Sequence, residues 1–385
     1  MDNQKHKIVY CTPALYMAGG EERILSLKAS YFAEVLGYDV TIILTEGAGH
    51  PLFYPLSDKI KVINLNINFE ELWTYSFYKK IWKYLIKQKQ YKRKLTLELM
   101  RLRPDITVSM MRREINFLND IQDGSKKVGE LHVNRAHFRN FEDVDRSFIK
   151  HIFSHYWQRD LLKQVRRLDR FVVLTEDDRK SWPELDNVIT IPDMLSFTPK
   201  STSPMTEKRI LAVGRYCYQK GFDLLLQAWS IIEEEVPEWR LDIYGDGDRR
   251  PFQDIVTKLG IDRSRCGLNG RTQDVEAEYV SSSIFVLSSR FEGFGLVIVE
   301  AMACGLPVVS FDCKYGPGSI ITNGHDGLLV KKNDVHELAN TMLRLINNDN
   351  ERLAYSRNAK ASVVRYSKEQ VAESWKKLFD SLANE

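Results

Sequence analysis

Two glutamates and two basic residues in the second half of the chain have types and spacing suited to a phosphorylated ligand. Arg215 and Lys220 follow a short apolar run, whereas Glu292 and Glu300 stand eight residues apart, in a Gly-Phe-Gly turn and in the helix predicted after it. Arginine can contact a phosphate through two hydrogen bonds, and lysine supplies a point charge. Fixed positive charge of this kind stabilises a departing pyrophosphate.

The turn itself offers backbone groups to a ligand. Gly293 and Gly295 permit positive φ and close approach of a ligand to bare backbone. The N–H groups of the turn and the N-terminus of the following helix predict an anion site. Glu292 and Glu300 can meet the two ends of one elongated ligand, but their spacing does not favour an acid/base pair. A surface glutamate and a helix-capping turn would also explain either carboxylate taken alone.

Short apolar runs alternate with amphipathic stretches along the whole chain. Near-continuous apolar runs of strand length are typical of parallel strands that are buried on both faces. The predicted strands lie at 7–11, 38–44, 60–65, 106–110, 127–131 and 171–174, and then at 210–213, 240–244, 284–287, 307–310 and 327–330. The pattern predicts an α/β protein with two doubly wound, Rossmann-like domains.

The join between the two series is a stretch rich in Ser, Thr and Pro near residues 192–208. We therefore predict domains at 1–195 and 196–366, facing each other across a central cleft. Residues 367–385 form an amphipathic helix with no strand after it, which we expect to cross back and pack on the first domain. Ligands of such sheets bind at the carboxyl ends of the strands, where the chemistry is expected.

The segment from Glu292 to Val309 resembles the retaining glycosyltransferases of the GT-B fold, specifically the group called family 4. Their hallmark is a Glu, seven residues and a Glu in the context EGFGLxxxEAMACGxPVV, which this segment matches closely. The resemblance covers residues 209–330 and, more thinly, the first domain. It implies an acceptor-binding domain at 1–195 and a nucleotide-sugar-binding domain at 196–366.

The resemblance also implies roles for individual residues. Arg215 and Lys220 would hold the nucleotide diphosphate, Glu300 the ribose and Glu292 the sugar hydroxyls. His132, at the end of a predicted strand, would contact the transferred sugar. The implied catalytic residues are His132, Glu292, Arg215 and Lys220. The implied donor-binding residues are Gly19, Gly20, Gly214, Arg215, Lys220, Gly245, Arg271, Glu292, Gly293, Phe294, Gly295, Leu296 and Glu300.

Two local departures from the family pattern stand out. Ile191-Pro192-Asp193-Met194 replaces a hinge that usually reads Ile-Pro-Asn, and Cys217-Tyr218 occupies a loop position where Pro-Glu is common. The first departure bears on acceptor contacts at the hinge. The second bears on the shape of the loop between Arg215 and Lys220.

We predict no metal and no cofactor. Asp143 and Asp145 form an Asp-x-Asp pair without a preceding apolar strand, and Asp246 and Asp248 form a second pair within a glycine loop. His151 and His155 have helical spacing but lack the carboxylate partner of a zinc helix. Arg215, Lys220 and the helix dipole would supply the positive charge instead.

Residues 79–103 carry ten basic side chains and one acid, interleaved with aromatic residues. Net charge is +6 over residues 1–200 and −3 over 201–385. A basic helix with aromatic side chains suits an anionic membrane surface or a lipid-linked acceptor. A solvated helix face with its aromatic side chains turned to the core is an equal alternative. Nucleic acid is a poorer fit, because the basic bias is local.

Composition bounds the remaining possibilities. The 385 residues carry a net charge of +3 from 55 basic and 52 acidic side chains, which does not favour a dedicated nucleic-acid-binding protein. Five cysteines without a CxxC pair indicate reduced thiols. The start of the chain does not read as a signal peptide, and no stretch reaches the roughly 18 apolar residues of a spanning helix. The predicted location is cytoplasmic, with contact to the inner face of the membrane left open.

The expected function is a metal-independent, retaining hexosyltransferase. It would move a sugar from a nucleotide diphosphate, with uridine as the expected base, to a hydroxyl of a glycan or lipid-linked acceptor in cell-envelope or capsular polysaccharide assembly. A catalytically silent scaffold that binds sugar nucleotide is the alternative from another class. A phosphorylase or a sugar-nucleotide epimerase on the same architecture is a further rival.

Overall fold

The computed structural model describes residues 5–135, 138 and 159–385. The chain divides into two compact units. Unit 1 comprises Met1–Leu174, Asp178–Met194 and Lys368–Glu385, and unit 2 comprises Thr175–Asp177 and Leu195–Ser367.

Unit 1 contains a seven-stranded parallel sheet. Its strands are β1 (Lys7–Thr12), β2 (Asp39–Leu44), β3 (Lys61–Asn64), β4 (Ile106–Ser109), β5 (Lys126–Leu131), β6 (Arg170–Val173) and β7 (Val188–Thr190). Their order is β3-β2-β1-β4-β5-β6-β7, with Val9 opposite both Thr41 and Thr107. The direction of strand addition reverses between β1 and β4, and ligands of such sheets bind at this switch point.

Unit 2 contains a six-stranded parallel sheet. Its strands are β8 (Arg209–Val213), β9 (Arg240–Tyr244), β10 (Cys266–Asn269), β11 (Ile284–Leu287), β12 (Val308–Asp312) and β13 (Leu328–Lys331). Their order is β10-β9-β8-β11-β12-β13, so the switch point lies between β8 and β11. The prediction of two doubly wound α/β domains is confirmed, although β7 and β10 were not predicted as strands.

Helices connect the strands in both units. They are α1 (Gly20–Glu34), α2 (Phe77–Leu102), α3 (Glu176–Lys180), α4 (Phe222–Ile232), α5 (Arg250–Leu259), α6 (Val275–Val280), α7 (Leu296–Ala303), α8 (Pro317–Ile320), α9 (Val335–Ile346), α10 (Asp349–Ser362) and α11 (Lys368–Ala383). Residues 159–166 are also helical. None of the helices in the described part of the chain is long and apolar enough to cross a membrane.

The core explains why β1 is apolar almost throughout. Ile8 and Tyr10 join one buried cluster, and Val9 and Cys11 join another, because successive side chains of a strand point to opposite faces. Both faces of the sheet are therefore covered, as the near-continuous apolar runs predict. Helix α11 contributes to the first of these clusters through Val371, Ala372, Trp375, Leu378, Phe379 and Leu382. All five cysteines are free.

Candidate active site

The predicted turn lies at the carboxyl end of β11, beside the switch point of unit 2. Glu292 is 6% exposed, and its Oε1 accepts hydrogen bonds from Lys220 Nζ at 2.7 Å and from the Ser289 hydroxyl at 2.6 Å. Glu292 and Lys220, 72 residues apart in the chain, therefore form one site. Ser289 was not predicted, although it lies in the polar stretch that follows β11.

The backbone around Lys220 is fixed to the end of β11. Tyr218–Lys220 form a 3-10 turn, and Gly221 after it has a φ of +61°. The Ser288 hydroxyl donates to the Lys220 carbonyl oxygen at 2.9 Å. A Cβ on Gly221 would lie 2.1 Å from the Ser288 carbonyl oxygen, so only glycine fits this close approach.

A second ion pair, which was not predicted, joins the same two loops. The guanidinium of Arg290 donates to both oxygens of Asp223, at 2.8 and 2.6 Å. It also donates to the Tyr218 carbonyl oxygen at 2.8 Å. Bidentate pairs of this kind restrict geometry as well as adding binding energy. Arg290 therefore positions the loop that carries Lys220.

Arg215 follows the end of β8, on the other side of the switch point. Its side chain is exposed and has no carboxylate partner within the described ranges. The neighbouring Gly214 lies against the alkyl chain of Lys220. A Cβ added to Gly214 would lie 3.0 Å from Lys220 Cδ. A Cβ on Gly245 would lie 1.7 Å from the Gly214 carbonyl oxygen, so the loops after β8 and β9 touch through bare backbone. These contacts leave the Arg215 cation available to an anion.

The turn leads directly into helix α7. Gly295 has a φ of +105°, and α7 begins at the next residue, Leu296. The N-terminus of this helix carries partial positive charge at the end of the turn. Gly293 is not among the glycines with positive φ, so the turn uses that freedom at Gly295. Phe294 is buried and packs edge-on against Tyr366, with ring centroids 5.4 Å apart, which fixes the turn to its unit.

Glu300 lies in the second turn of α7, as predicted. Its side chain is buried, whereas a residue that contacts a ligand from solvent would be exposed. Glu300 is 2% exposed; Tyr279 Oη donates to its Oε2 at 2.9 Å, and the Ser196 hydroxyl donates to its Oε1. A carboxylate oxygen can accept two hydrogen bonds. A ribose hydroxyl would therefore share Glu300 with these two side chains or displace Ser196. Arg271 is exposed after β10.

The predicted residues of unit 1 lie near its own switch point. Gly19 is the N-cap of α1, and Gly20 is its first residue. Glu21 in the first turn of α1 pairs with Arg112, which follows β4. The glycine loop after β1 and the loop after β4 are thus joined by an ion pair.

His132 lies directly after β5, and its side chain is 6% exposed. Its Nε2 lies 3.0 Å from Glu130 Oε1, and its Nδ1 lies 3.3 Å from Asp193 Oδ1. Burial alone would lower the pKa of His132, but Asp193 and then Glu130 outweigh it and raise that pKa to about 10. His132 is therefore an imidazolium at neutral pH, with a carboxylate at each ring nitrogen.

Glu130 is shared with a second cation that was not predicted. Lys28 on α1 is buried, pairs with Glu130 and lies 4.2 Å from the ring centroid of Trp375. Burial alone would raise the pKa of Glu130, but Lys28 and then His132 outweigh it and lower that pKa to about 2. Two cations and two anions thus form a buried, electrically balanced network in unit 1.

Of the two Asp-x-Asp pairs, the structure describes Asp246 and Asp248, and it pairs both with protein groups. Asp248 binds Arg250, and Asp246 Oδ1 accepts a hydrogen bond from the Gly247 N–H. Across the described residues, no group of three or more His, Cys, Asp and Glu side chains is arranged to hold a metal ion. The candidates Asp143, Asp145, His151 and His155 lie outside the described residues. Independence from metal remains a prediction.

Comparisons with known proteins relate this chain to glycosyltransferases. Residues 194–362 match the family model of the glycosyl transferases group 1. The chain is 35% identical to an uncharacterized glycosyltransferase of Haemophilus influenzae over 217 residues, which is 55% of the chain. Over 270 residues, 68% of the chain, it is 27% identical to the poly(ribitol-phosphate) alpha-N-acetylglucosaminyltransferase of Staphylococcus aureus. The crystal structure of Anabaena HepE in complex with UDP has a TM-score of 0.73 at 16% identity, covering 97% of this chain and 100% of HepE.

The aligned stretches span 61% of the Haemophilus relative and 52% of the Staphylococcus relative. The likeness to HepE concerns the fold alone, with two Rossmann-like units as in the GT-B class. The matched family segment contains Arg215, Lys220, Glu292 and Glu300, and it begins and ends close to the bounds of unit 2. Residues 194–362 therefore match the glycosyl transferases group 1 family, in a chain that has the GT-B fold.

Proposed function

We propose that this protein is a retaining hexosyltransferase of family 4 that uses a nucleotide diphosphate sugar, with UDP as the nucleotide. The acceptor is a hydroxyl of a glycan or lipid-linked molecule in cell-envelope or capsular polysaccharide assembly. The observation that carries the proposal is the Lys220–Glu292 pair beside the exposed Arg215 at the switch point of unit 2. The relative that acts on poly(ribitol phosphate) and the UDP complex of HepE support the acceptor class and the base.

In this proposal the bond between the sugar C1 and the diphosphate oxygen breaks, and a bond from C1 to the acceptor oxygen forms on the same face. The acceptor proton goes to the departing phosphate oxygen. Arg215 and Lys220 neutralise the charge that develops on the diphosphate, and the N-terminus of α7 adds to their field. An alpha product from an alpha-linked sugar nucleotide is what retention requires, and the name of the Staphylococcus relative supports it.

Glu292 has two functions in this proposal. Before the donor binds, it holds Lys220 in place through a hydrogen bond of 2.7 Å. When the diphosphate arrives, Lys220 exchanges this partner for the phosphate. The released Glu292 oxygen then accepts hydrogen bonds that the sugar hydroxyls donate. Glu300 accepts a ribose hydroxyl. No metal is needed, because the two cations and the helix N-terminus supply the positive charge.

Nucleotide binding tests the proposal. Thermal unfolding is measured with UDP, GDP, ADP and CMP, each with excess EDTA. A ligand at a hundred times its dissociation constant stabilises the folded state by about 2.7 kcal/mol, so a bound nucleotide raises the unfolding temperature measurably. We expect this rise with UDP and not with the other three nucleotides. Lys220→Ala and Arg215→Ala should abolish the shift. Lys258→Ala, which removes an exposed lysine from α5 of the same unit, should keep it.

Turnover completes the test. UDP release from UDP-sugars in EDTA, with glycan and polyol-phosphate acceptors, is expected for the wild type and lost in Lys220→Ala. The anomeric configuration of the product is read by NMR, and an inverted product would overturn the retaining assignment. A shift with GDP or ADP instead of UDP would overturn the base. Binding of UDP without turnover on any acceptor would favour the silent scaffold.

A further inference from the structure

Helix α2 carries an exposed apolar face in addition to the stripe it buries. Its second half packs into unit 1 through Tyr91, Leu95, Leu99 and Leu102, all of which are buried. Its first three turns expose a second group of apolar side chains that line one groove together with Lys89. This group, called here the α2 face, consists of Tyr78, Ile81, Trp82, Leu85 and Ile86.

The exposure of the α2 face is large for apolar side chains. Tyr78 is 85% exposed, Leu85 62% and Trp82 52%. Contiguous exposed apolar groups on a folded protein mark a binding surface. The alternative was a solvated helix with its aromatic side chains turned to the core. Tyr91 is turned to the core in this way, but Tyr78 and Trp82 are exposed.

Lysines surround the α2 face. Lys79, Lys83 and Lys89 are exposed, and Lys83 and Lys89 have no carboxylate partner within the described ranges. From Phe77 to Leu102 the only acidic residue is Glu98, which pairs with Arg101 at the far end of the helix. The surface is thus apolar and aromatic in its middle and positively charged at its borders.

An apolar, aromatic centre with lysines at its borders fits a membrane surface better than a protein partner. The dry centres of protein–protein interfaces are depleted in lysine, yet Lys89 lines the same groove as the apolar side chains. A helix that lies in a membrane surface has this composition, with Trp and Leu in the acyl boundary and lysines at the headgroups. Tryptophan and tyrosine also favour the membrane–water interface.

We propose that the α2 face binds the surface of an anionic lipid bilayer, with α2 lying in the plane of the membrane. Trp82 and Leu85 insert below the headgroups, and Lys83 and Lys89 contact lipid phosphates. The α2 face belongs to unit 1, and its binding to a bilayer is independent of the proposed transfer reaction. A lipid-linked acceptor would be presented at such a surface.

Vesicle flotation tests this proposal with the full chain and no substrate. Vesicles of phosphatidylcholine alone are compared with vesicles that contain phosphatidylglycerol, at low and at high salt. Binding is expected only to the anionic vesicles and should weaken at high salt. Trp82→Glu/Leu85→Glu should reduce binding at least about a hundredfold, because two apolar anchors are lost. Lys83→Ala/Lys89→Ala should reduce it about 30-fold, since each lysine contributes about 1 kcal/mol at an anionic surface.

The matched control is Leu353→Glu, which places the same substitution at an exposed position of α10 in unit 2 and should bind like the wild type. All variants are checked for native circular dichroism and unfolding temperature, because the replaced side chains are exposed. Equal binding to neutral and anionic vesicles, or unchanged binding by Trp82→Glu/Leu85→Glu, would overturn the proposal. A third outcome would also overturn it: the wild type is a dimer that does not bind vesicles, and Trp82→Glu/Leu85→Glu is a monomer.

Discussion

His132 and Asp193 face each other across the carboxyl edge of unit 1, with Nδ1 and Oδ1 3.3 Å apart. The same imidazole faces Glu130 with its other nitrogen, and the two carboxylates favour a proton on each ring nitrogen. The imidazolium therefore has no nitrogen lone pair left to accept a further proton. A hinge that carried asparagine, as is usual in the resembled family, would place a neutral group at this position. The aspartate therefore changes the electrostatic character of the histidine.

We expect Asp193→Asn to lower the pKa of His132, because it removes the main charge that holds the imidazolium. Histidine side-chain NMR measures this directly. In the wild type, the His132 resonance should not change between pH 6 and 8.5, since its pKa is raised to about 10. In Asp193→Asn it should titrate within that range.

Stability should depend on pH through the same group. The pKa of His132 rises from 6.5 to about 10 on folding, so its contribution is complete below pH 6.5 and is lost as pH rises to 10. The difference in unfolding free energy between wild type and His132→Gln should therefore shrink over that window, by at most about 1.4 kcal/mol per pH unit. Urea unfolding at pH 6.5, 8 and 9.5 measures it. A difference that stays constant would mean that His132 is neutral.

The fold could be predicted well because a central strand that is buried on both faces of its sheet needs apolar side chains at every position. Such a strand therefore appears in the sequence as an uninterrupted apolar run. Runs such as 38–44 and 284–287 correspond to β2 and β11 to within a residue. The missed strands, β7 and β10, are three and four residues long, and Gly267 and Asn269 make β10 unlike a buried strand. Their pairing depends on neighbours that are distant in sequence.

The site could be located from local spacing, but its internal contacts could not. The turn at 292–295 and the lysine at 220 each have a recognisable context, whereas the pairing of Glu292 with Lys220 joins positions 72 residues apart. The same is true of His132 and Asp193, which meet only because β5 and the segment after β7 reach one edge of the sheet. Asp193 departs from the family pattern in the sequence, but only the fold shows that His132 is its partner.

Glu292→Gln should cost activity without unfolding the protein. The amide keeps the size of the side chain but removes the charge that holds Lys220 at 2.7 Å and weakens its acceptor strength. We expect transfer from the UDP-sugar to fall by about a hundredfold or more, the scale of losing one polar contact to a reacting centre. Glu234→Gln, at an exposed position in the same unit, is the control. Wild-type transfer rates in Glu292→Gln would remove this residue from the site.

The Arg290–Asp223 pair should act on donor binding through the Lys220 loop. Arg290→Ala and Asp223→Ala should each weaken UDP binding, and the double variant should be little worse than either, with a coupling energy of about 1–3 kcal/mol. Arg290→Lys should rescue poorly, because lysine cannot make the bidentate contact. Arg344→Ala breaks an ion pair with Glu351 on the surface of the same unit and should leave UDP binding unchanged. Additive losses for Arg290 and Asp223 would contradict the positioning role.

Gly245 should be intolerant of any side chain, since an added Cβ would lie 1.7 Å from the Gly214 carbonyl oxygen. Backbone cannot yield as a flexible side chain does, so Gly245→Ala must separate the loops after β8 and β9. We expect a loss of about 1–3 kcal/mol in unfolding free energy, the scale of overpacking. UDP affinity should also fall, because Gly214 contacts Lys220 and precedes Arg215. Gly270→Ala is the matched control: the nearest atom to its Cβ is 3.9 Å away, so both quantities should stay at wild-type values.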